Sequence, residues 1–374
     1  PFVRVYDQDI DSMPSGMRVS QNAALVPRLS RRRLGVALCS VLATAQPLEC
    51  LRFSSHRCQQ TRLVSRAAGA GQVAYASLPS QLLKRVAACN DGAELARQKG
   101  RPLLIEEENV GVVLPQAAEQ FARFPEVFDV SDRAVAVIAG KTVKERSAAV
   151  AAVLDQLREE GHIAMLKGWR GEAWGCQRSF HEPARLVVER AAGPLFGISG
   201  FGCHINGLVA EKPGGPPTHL WVAKRASTKP TYPGALDHIV AGGLTHGEKP
   251  GENVIRECAE EASIPAELAE KARAASFVSY CQVDETGWGI KRDMLFCYDL
   301  LLPMSFEPVP ADGEVEGFKL WKLEEVLASL ASDDSSTQRW KPNVALVILD
   351  MAVRWGLVTP DEDKYVDLVR GLRQ

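Results

Sequence analysis

Apolar and polar positions divide the chain into stretches of different period. Residues 81–89 carry apolar positions at helical spacing, 110–114 and 134–138 are short apolar runs that read as strands, and 143–158 is the clearest helix. That helix has its own start signal, because Thr142 and Glu145 form a Thr-x-x-Glu capping box behind a turn at Gly140. Residues 185–189 read as another strand. Beyond Gly202, strands are predicted at 203–210, 220–225, 239–242, 276–283, 294–302 and 316–321, the first two joined by a loop of turn formers at 212–217. Helices are predicted at 252–262, 266–274, 323–330, 342–355 and 360–372. The pattern predicts an α+β protein, with a small α+β domain over 77–200 and a second domain over 201–374 built as a mixed sheet between helices.

Composition changes this picture at one end. The 374 residues carry a formal charge of −2, but between residues 13 and 76 there are nine Arg, no Lys and one acid, Glu49. That stretch is +8, which leaves −10 for the remainder. An acidic remainder lacks the clustered cations that neutralise nucleic-acid phosphates, so nucleic acid is excluded as a main partner. The Arg-rich, acid-poor residues 1–76 are expected to be a targeting leader, disordered or removed. Within it, residues 34–45 form an apolar run behind Arg31, Arg32 and Arg33, too short for the roughly 20 apolar residues of a membrane span. A plastid transit peptide is preferred, with a mitochondrial one as the alternative, and a signal-like core followed by a basic stretch also suits two-step import. The chain opens on Pro1 and not Met, so the mature N-terminus stays open, as does the oligomeric state. The nine Cys include no Cys-x-x-Cys pair and suggest neither a zinc site nor a disulfide framework.

Two glycine motifs resemble nucleotide sites and fail on spacing. Residues 134–142 place Gly-Lys-Thr between a strand and a helix, but the first Gly of a phosphate-binding loop is replaced by Val135. Residues 197–202 have the wrong order for a dinucleotide fingerprint and read as a glycine-rich entry into the second domain.

The chemistry concentrates in residues 242–264. A helix there places Glu257, Glu260 and Glu261 at i, i+3 and i+4 on one face. Such an acidic face taken alone is a solvated surface. Here Arg256 sits beside it and Glu248 lies upstream after Gly242-Gly243, which gives the clustered oxygen ligands that hard divalent cations need.

This segment resembles the Nudix box, Gly-x5-Glu-x7-Arg-Glu-U-x-Glu-Glu-x-Gly-U with U apolar. Gly242, Glu248, Arg256, Glu257, Glu260, Glu261 and Ile264 fall on the pattern, and Ser263 replaces the second Gly. That Gly helps the chain leave the helix, and Ser263 with Pro265 is expected to end it another way. Over roughly 78–373 the chain is similar to the eukaryotic Nudix subfamily related to thiamine pyrophosphokinase, in phrases such as Gly168-Trp169-Arg170, His204-Ile205-Asn206-Gly207, Ala241-Gly242-Gly243 and Lys341-Pro342-Asn343. In that subfamily a domain of otherwise unknown function precedes the Nudix domain, and plants have chloroplast members.

The resemblance implies a Nudix fold and a Mg²⁺-dependent (or Mn²⁺-dependent) diphosphatase, whose partner is a small-molecule diphosphate. Its implied substrates are damaged oxo- and oxythiamine diphosphate, cut to the monophosphate. Glu257 and Glu261 are then metal ligands, Glu260 a third ligand or the base, and Arg256 the group that orients the cluster, with Glu248 behind them. A further carboxylate comes from Glu314 or Glu316, unless these only solvate a strand entry. Lys229, Tyr232 and Asp237 are the substrate-binding candidates, and Trp288 lies in a loop placed to flank a ring. The competing readings are a Nudix hydrolase of a nucleoside diphosphate derivative and a non-catalytic Nudix binding module. No ATP-dependent pyrophosphoryl transfer is expected, because leader and two domains account for the chain.

Overall fold

Residues 78–332 and 339–374 are described by a computed structural model. The basic leader and its apolar run at 34–45 lie outside the described residues. Helices α1 (Leu78–Ala88) and α2 (Gly92–Lys99) precede a hairpin of β1 (Arg101–Ile105) and β2 (Glu108–Val113). Helix α3 (Pro115–Phe121), strands β3 (Phe128–Val130) and β4 (Val135–Val137) and helix α4 (Val143–Glu160) complete a four-stranded sheet of order β2-β1-β4-β3, with β4 parallel to β1. A second hairpin, β5 (Ala173–Cys176) and β6 (Leu186–Glu189), leads to the short helix α5 (Gly193–Phe196). Phe121 stacks on both Phe128 and Phe196, with ring centroids 4.6 and 4.9 Å away, so α5 is locked onto the small sheet's core.

The larger sheet holds β7 (Ser199–Val209), β8 (His219–Arg225), β9 (Leu236–His238), β10 (Val240–Gly243), β11 (Arg273–Val283), β12 (Ile290–Leu301) and β13 (Val315–Lys322). Its order is β11-β12-β7-β8-β13, with β10 paired to β7 and β9 to β8. Strands β7 and β12 run parallel from Ser199↔Arg292 to Leu208↔Leu301, and the other pairs are antiparallel. Helices α6 (Pro250–Ala262) and α7 (Ala266–Ala269) cover one face, where Val254, Cys258 and Ile264 bury against Cys203, Ile205 and Val240. Helices α8 (Leu323–Ala331), α9 (Pro342–Arg354) and α10 (Tyr365–Gly371) cover the other. Helix α1 joins this second face, where Leu82 and Val86 pack with Val278, Leu330 and Leu368, and Arg85 Nε donates to Leu330 O at 3.0 Å. This is the mixed sheet between helices that the sequence pattern predicts. No helix among the described residues is long and apolar enough to cross a membrane.

Some elements differ from expectation for physical reasons. The Ala-rich 266–274 stretch keeps helix only over Ala266–Ala269, because from Arg273 the chain is drawn into β11, whose ladder to β12 begins at Arg273↔Asp299. The last helix starts at Tyr365, preceded by Lys364 in the left-handed region (φ 66°). The glycine-rich 197–202 entry is already strand from Ser199, and Gly200 is required there because a Cβ would strike the Trp174 ring and Asp293 Oδ1.

The capping box at α4 forms as the spacing predicts. Thr142 Oγ1 accepts from Glu145 N–H at 3.2 Å, and Glu145 Oε2 accepts from the N–H groups of Thr142 and Lys141 at 3.1 and 2.7 Å. The amides that would cradle a phosphate in a P-loop are therefore already bound. Thr142→Ala should lower stability by about 1 kcal/mol, a loss of about 2–4 °C in melting temperature. An unchanged melt would show that the box does not hold the start of α4.

Candidate active site

Three consecutive residues of β10, Ala241, Gly242 and Gly243, line a cleft of about 740 Å³ and carry the carboxylates of α6 against their other side. Glu261 is buried and its Oε2 accepts the Ala241 N–H at 2.9 Å. Glu257 lies against Gly242 so closely that a Cβ on Gly242 would overlap its carboxyl group. The glycine is thus required by space, at an ordinary strand conformation.

Arg256 ties the cluster together. It donates through Nε and Nη2 to Glu248 Oε1 at 3.0 and 2.9 Å, through Nη1 to Glu260 Oε2 at 2.7 Å, and Nη2 lies 2.9 Å from Glu257 Oε1. Glu248 Oε2 also accepts from Asn253 Nδ2 at 3.1 Å, and that amide reaches Gly243 O at 3.1 Å, which fixes the loop between β10 and α6. Burial disfavours the Glu248 anion, but the Arg256 and Asn253 hydrogen bonds outweigh it and hold the carboxyl below its ordinary value.

Glu257 and Glu261 both shift the opposite way from Glu248. Burial raises both, and for Glu261 the nearby Glu257 and Asp237 add to it against the Ala241 N–H and Lys341, so its pKa is pushed up to about 8. Arg256 neutralises only one of four neighbouring carboxylates, and Glu261 has no ion pair among the described residues. An all-oxygen donor set with surplus negative charge, one member buried without an ion pair, has the donor chemistry that a hard divalent cation takes.

Ser263 ends α6 in the left-handed conformation (φ 51°, ψ 34°), and Ile264 N–H donates back to Cys258 O at 2.9 Å. The helix therefore leaves as a glycine would leave it, and the expectation of another ending is corrected. The Ser263 hydroxyl donates to Val309 O at 2.9 Å, which offsets the strain of a Cβ at positive φ.

The other candidates fall in different places. Tyr232 lines the cleft and its hydroxyl donates to Glu285. Lys229 pairs with Glu314, and Lys224 pairs with Glu316 at 2.8 Å, so neither of these acids bonds to the α6 carboxylates. Trp288 lies edge-on to His162, with centroids 5.8 Å apart, and packs on the small sheet's core. Asp237 is buried between Arg225 Nη1 at 2.9 Å and Lys341 Nζ at 3.1 Å, and so positions Lys341, which lines the cleft. Burial works against this anion, yet Lys341, His204 and Arg225 outweigh it and keep its pKa well below the usual range.

Sequence reasoning did not single out Arg170, Trp174, Arg190, Tyr280 or Asp293, all of which line the cleft. Arg170 stands in a phrase that carries the family resemblance, which was the available signal. The others carry no local motif, because their position depends on long-range packing.

His204, Asp237 and His238 also converge, with candidate ligand atoms within 4.8 Å of one another. Arg225 and Lys341 already neutralise Asp237, which leaves no charge for a metal to balance. The two rings meet Nδ1 to Nδ1 at 3.0 Å. Burial lowers His238 to about 4 and Lys341 pushes the same way, against Asp237. Because an unfolded histidine titrates near 6.5, the unfolded chain binds more protons between about 4 and 6.5, so stability is full above that window and falls as pH drops through it. His238→Gln should flatten the fall in melting temperature between pH 7.5 and 5, and parallel curves for variant and wild type would refute this.

Two domain families match the chain. A model of the NUDIX domain matches residues 207–342, and a model of a domain of unknown function (DUF4743) matches residues 81–200. The chain is 39% identical over 300 residues to Nudix hydrolase 20, chloroplastic, of Arabidopsis thaliana, covering 78% of this chain and 77% of that protein. It is 40% identical over 294 residues to Nudix hydrolase 24, chloroplastic, of the same plant, again covering 78% and 77%. An uncharacterized protein of Saccharomyces cerevisiae is 34% identical over 232 residues, covering 58% of this chain and 66% of its own length.

Proposed function

Because the chain belongs to the Nudix hydrolase family, enzymes acting on pyrophosphate bonds, we propose that it is a diphosphatase that cuts oxo- and oxythiamine diphosphate to the monophosphate in a plastid. The observation that carries the reaction class is the four-carboxylate, one-arginine cluster at β10 and α6, in which Glu261 is buried without a cation. The thiamine assignment is supported by the subfamily phrases in the sequence and by a cleft that combines the ring-bearing Trp174, Phe201, Tyr232 and Tyr280 with several cations. The plastid assignment is supported by the Arg-rich leader and by the chloroplastic names of the two Arabidopsis relatives.

Glu257, Glu260 and Glu261 would hold Mg²⁺ or Mn²⁺, which when bound supplies charge neutralisation at the diphosphate and lowers the pKa of a water. Arg256 sets the spacing of Glu248, Glu257 and Glu260 by bonding to all three. Glu260, the most exposed of the cluster's acids, takes the proton as the water oxygen bonds to phosphorus and the bridging P–O bond breaks, which yields monophosphate and phosphate. Glu314, half exposed and held by Lys229, would supply a further carboxylate from the loop before β13.

Phosphate release by the full chain with Mg²⁺, measured over a panel of thiamine, oxothiamine, oxythiamine and nucleoside diphosphates, should give the highest kcat/KM with the damaged thiamine forms. Preference for a nucleotide would overturn the substrate reading, and no turnover on any diphosphate would favour a binding module. Glu260→Gln and Glu261→Gln should each lower kcat by at least about 100-fold while the melting temperature stays within a few degrees. Turnover retained in both variants would refute the site. Gly242→Ala should abolish Mg²⁺-dependent turnover by displacing Glu257, and an active variant would show that this close approach is dispensable.

A further inference from the structure

The cleft is not walled by the large sheet alone. Lys167, Arg170, Trp174 and Arg190 line it from the region matched as a domain of unknown function. Arg190 is held in place by three contacts: Nη1 pairs with Glu172 Oε2 at 2.6 Å, the guanidinium lies 5.2 Å from the Trp174 ring centroid, and it presses on Gly243. A Cβ on Gly243 would lie 2.9 to 3.0 Å from the guanidinium atoms. Gly243 follows Gly242, against which Glu257 lies, so the arginine and the carboxylate are held one residue apart on β10. The remaining donors of Arg190, Nε and Nη2, have no partner among the described residues.

Arg170 is less satisfied still. Its guanidinium makes no ion pair or hydrogen bond with the described residues, and the acids nearest to it are already engaged, Glu172 by Arg190 and Glu314 by Lys229. Burial and the neighbouring Arg190 both work against its charge. Arg170, exposed and without an ion pair, and the unpartnered Nε and Nη2 of Arg190 present free N–H donors at the cleft, one strand away from the carboxylate cluster. By contrast, the acids that line the same cleft are engaged: Asp293 accepts from Tyr280 Oη at 2.6 Å, and Lys291 pairs with Glu285 at 2.6 Å and with Asp284 at 3.6 Å. The open charge of the cleft is therefore positive.

We infer that Arg170 and Arg190 form an anion-binding wall that takes the diphosphate of the substrate, so that the region before the large sheet completes the substrate site. This rests on the diphosphatase reading only for the identity of the anion. Fork-shaped guanidinium groups suit phosphate oxygens, each charge-assisted bond adding affinity. The wall binds and positions the diphosphate beside the α6 carboxylates and has no part in proton transfer.

The test uses the full chain with inorganic pyrophosphate as the probe, its binding measured by calorimetry in EDTA so that direct cation contact is read without a bridging metal. Arg170→Ala should weaken pyrophosphate binding by about tenfold, Arg170→Lys by less, and Lys144→Ala, an exposed cation on α4, not at all. In Mg²⁺ the KM of Arg170→Ala for the hydrolysed diphosphate should rise by a similar factor while kcat changes by less than about threefold. Arg190→Ala should act in the same direction, and if it fails to fold, Arg170→Ala, which breaks no contact, decides the matter. Pyrophosphate affinity within about twofold of wild type in a folded Arg170→Ala, or no binding by the wild type, overturns the inference. Weakened pyrophosphate binding together with no turnover of thiamine-type diphosphates would sink the substrate reading and leave the anion wall standing.

Discussion

Two glycines at the end of β10 set the distances on which the site depends. On one side Glu257 occupies the space a side chain on Gly242 would need, and on the other Arg190 occupies that of Gly243. A strand residue normally holds its neighbours apart by its own Cβ, and removing two in succession lets an acidic helix and a basic segment approach the same short piece of backbone. The backbone is used as well, because Ala241, one residue earlier, gives its N–H to Glu261. β10 is thus a spacer that positions charges by omission, and its pairing to β7, from Val240↔Ile205 to Gly243↔Gly202, holds it still while it does so.

The charges around this spacer are arranged in two tiers. Asp237 is buried and fully neutralised by Arg225 and Lys341, so this acid serves the fold and the placement of Lys341. The α6 acids share a single arginine, and the most buried of them, Glu261, has none of it. A structural ion pair is closed when its charges balance, whereas a binding site is left open by a surplus. The same criterion separates the His204, Asp237 and His238 cluster, which has metal-like spacing but no surplus charge, from the α6 carboxylates, which carry the surplus.

Much of this was legible in the sequence wherever the determinants are local. The cap of α4 depends on two residues three apart, and the α6 carboxylates depend on helical period, so spacing alone placed them. Ser263 was legible as a departure, but its consequence was not, since a hydrogen bond to Val309, far along the chain, lets serine hold the conformation expected of glycine. Trp288 and Asp237 illustrate the converse. Both have the residue type of a ligand contact, yet one packs against His162 and the other lies beneath the cleft surface, outcomes set by neighbours distant in sequence.

The same limit explains why the basic wall escaped notice. Arg170 and Arg190 flank the two-stranded β5–β6 sheet, separate from the larger one, and apart from the family phrase around Arg170 nothing in their local pattern points to a site. What places them is a chain of packing: Phe196 stacks on Phe121, which anchors α5 to the small core, and Gly193 in α5 lets the Trp174 ring lie close. Trp174 in turn carries the Arg190 guanidinium, which closes on Gly243. The first links are aromatic contacts with no charge of their own, and with the cation–π contact and the Glu172 pair at the end they fix a cation beside an acidic cluster contributed by a different sheet. Core packing in the first region is therefore coupled to the electrostatics of the cleft, and a substitution deep in that small core would be felt at the cleft through the position of one arginine.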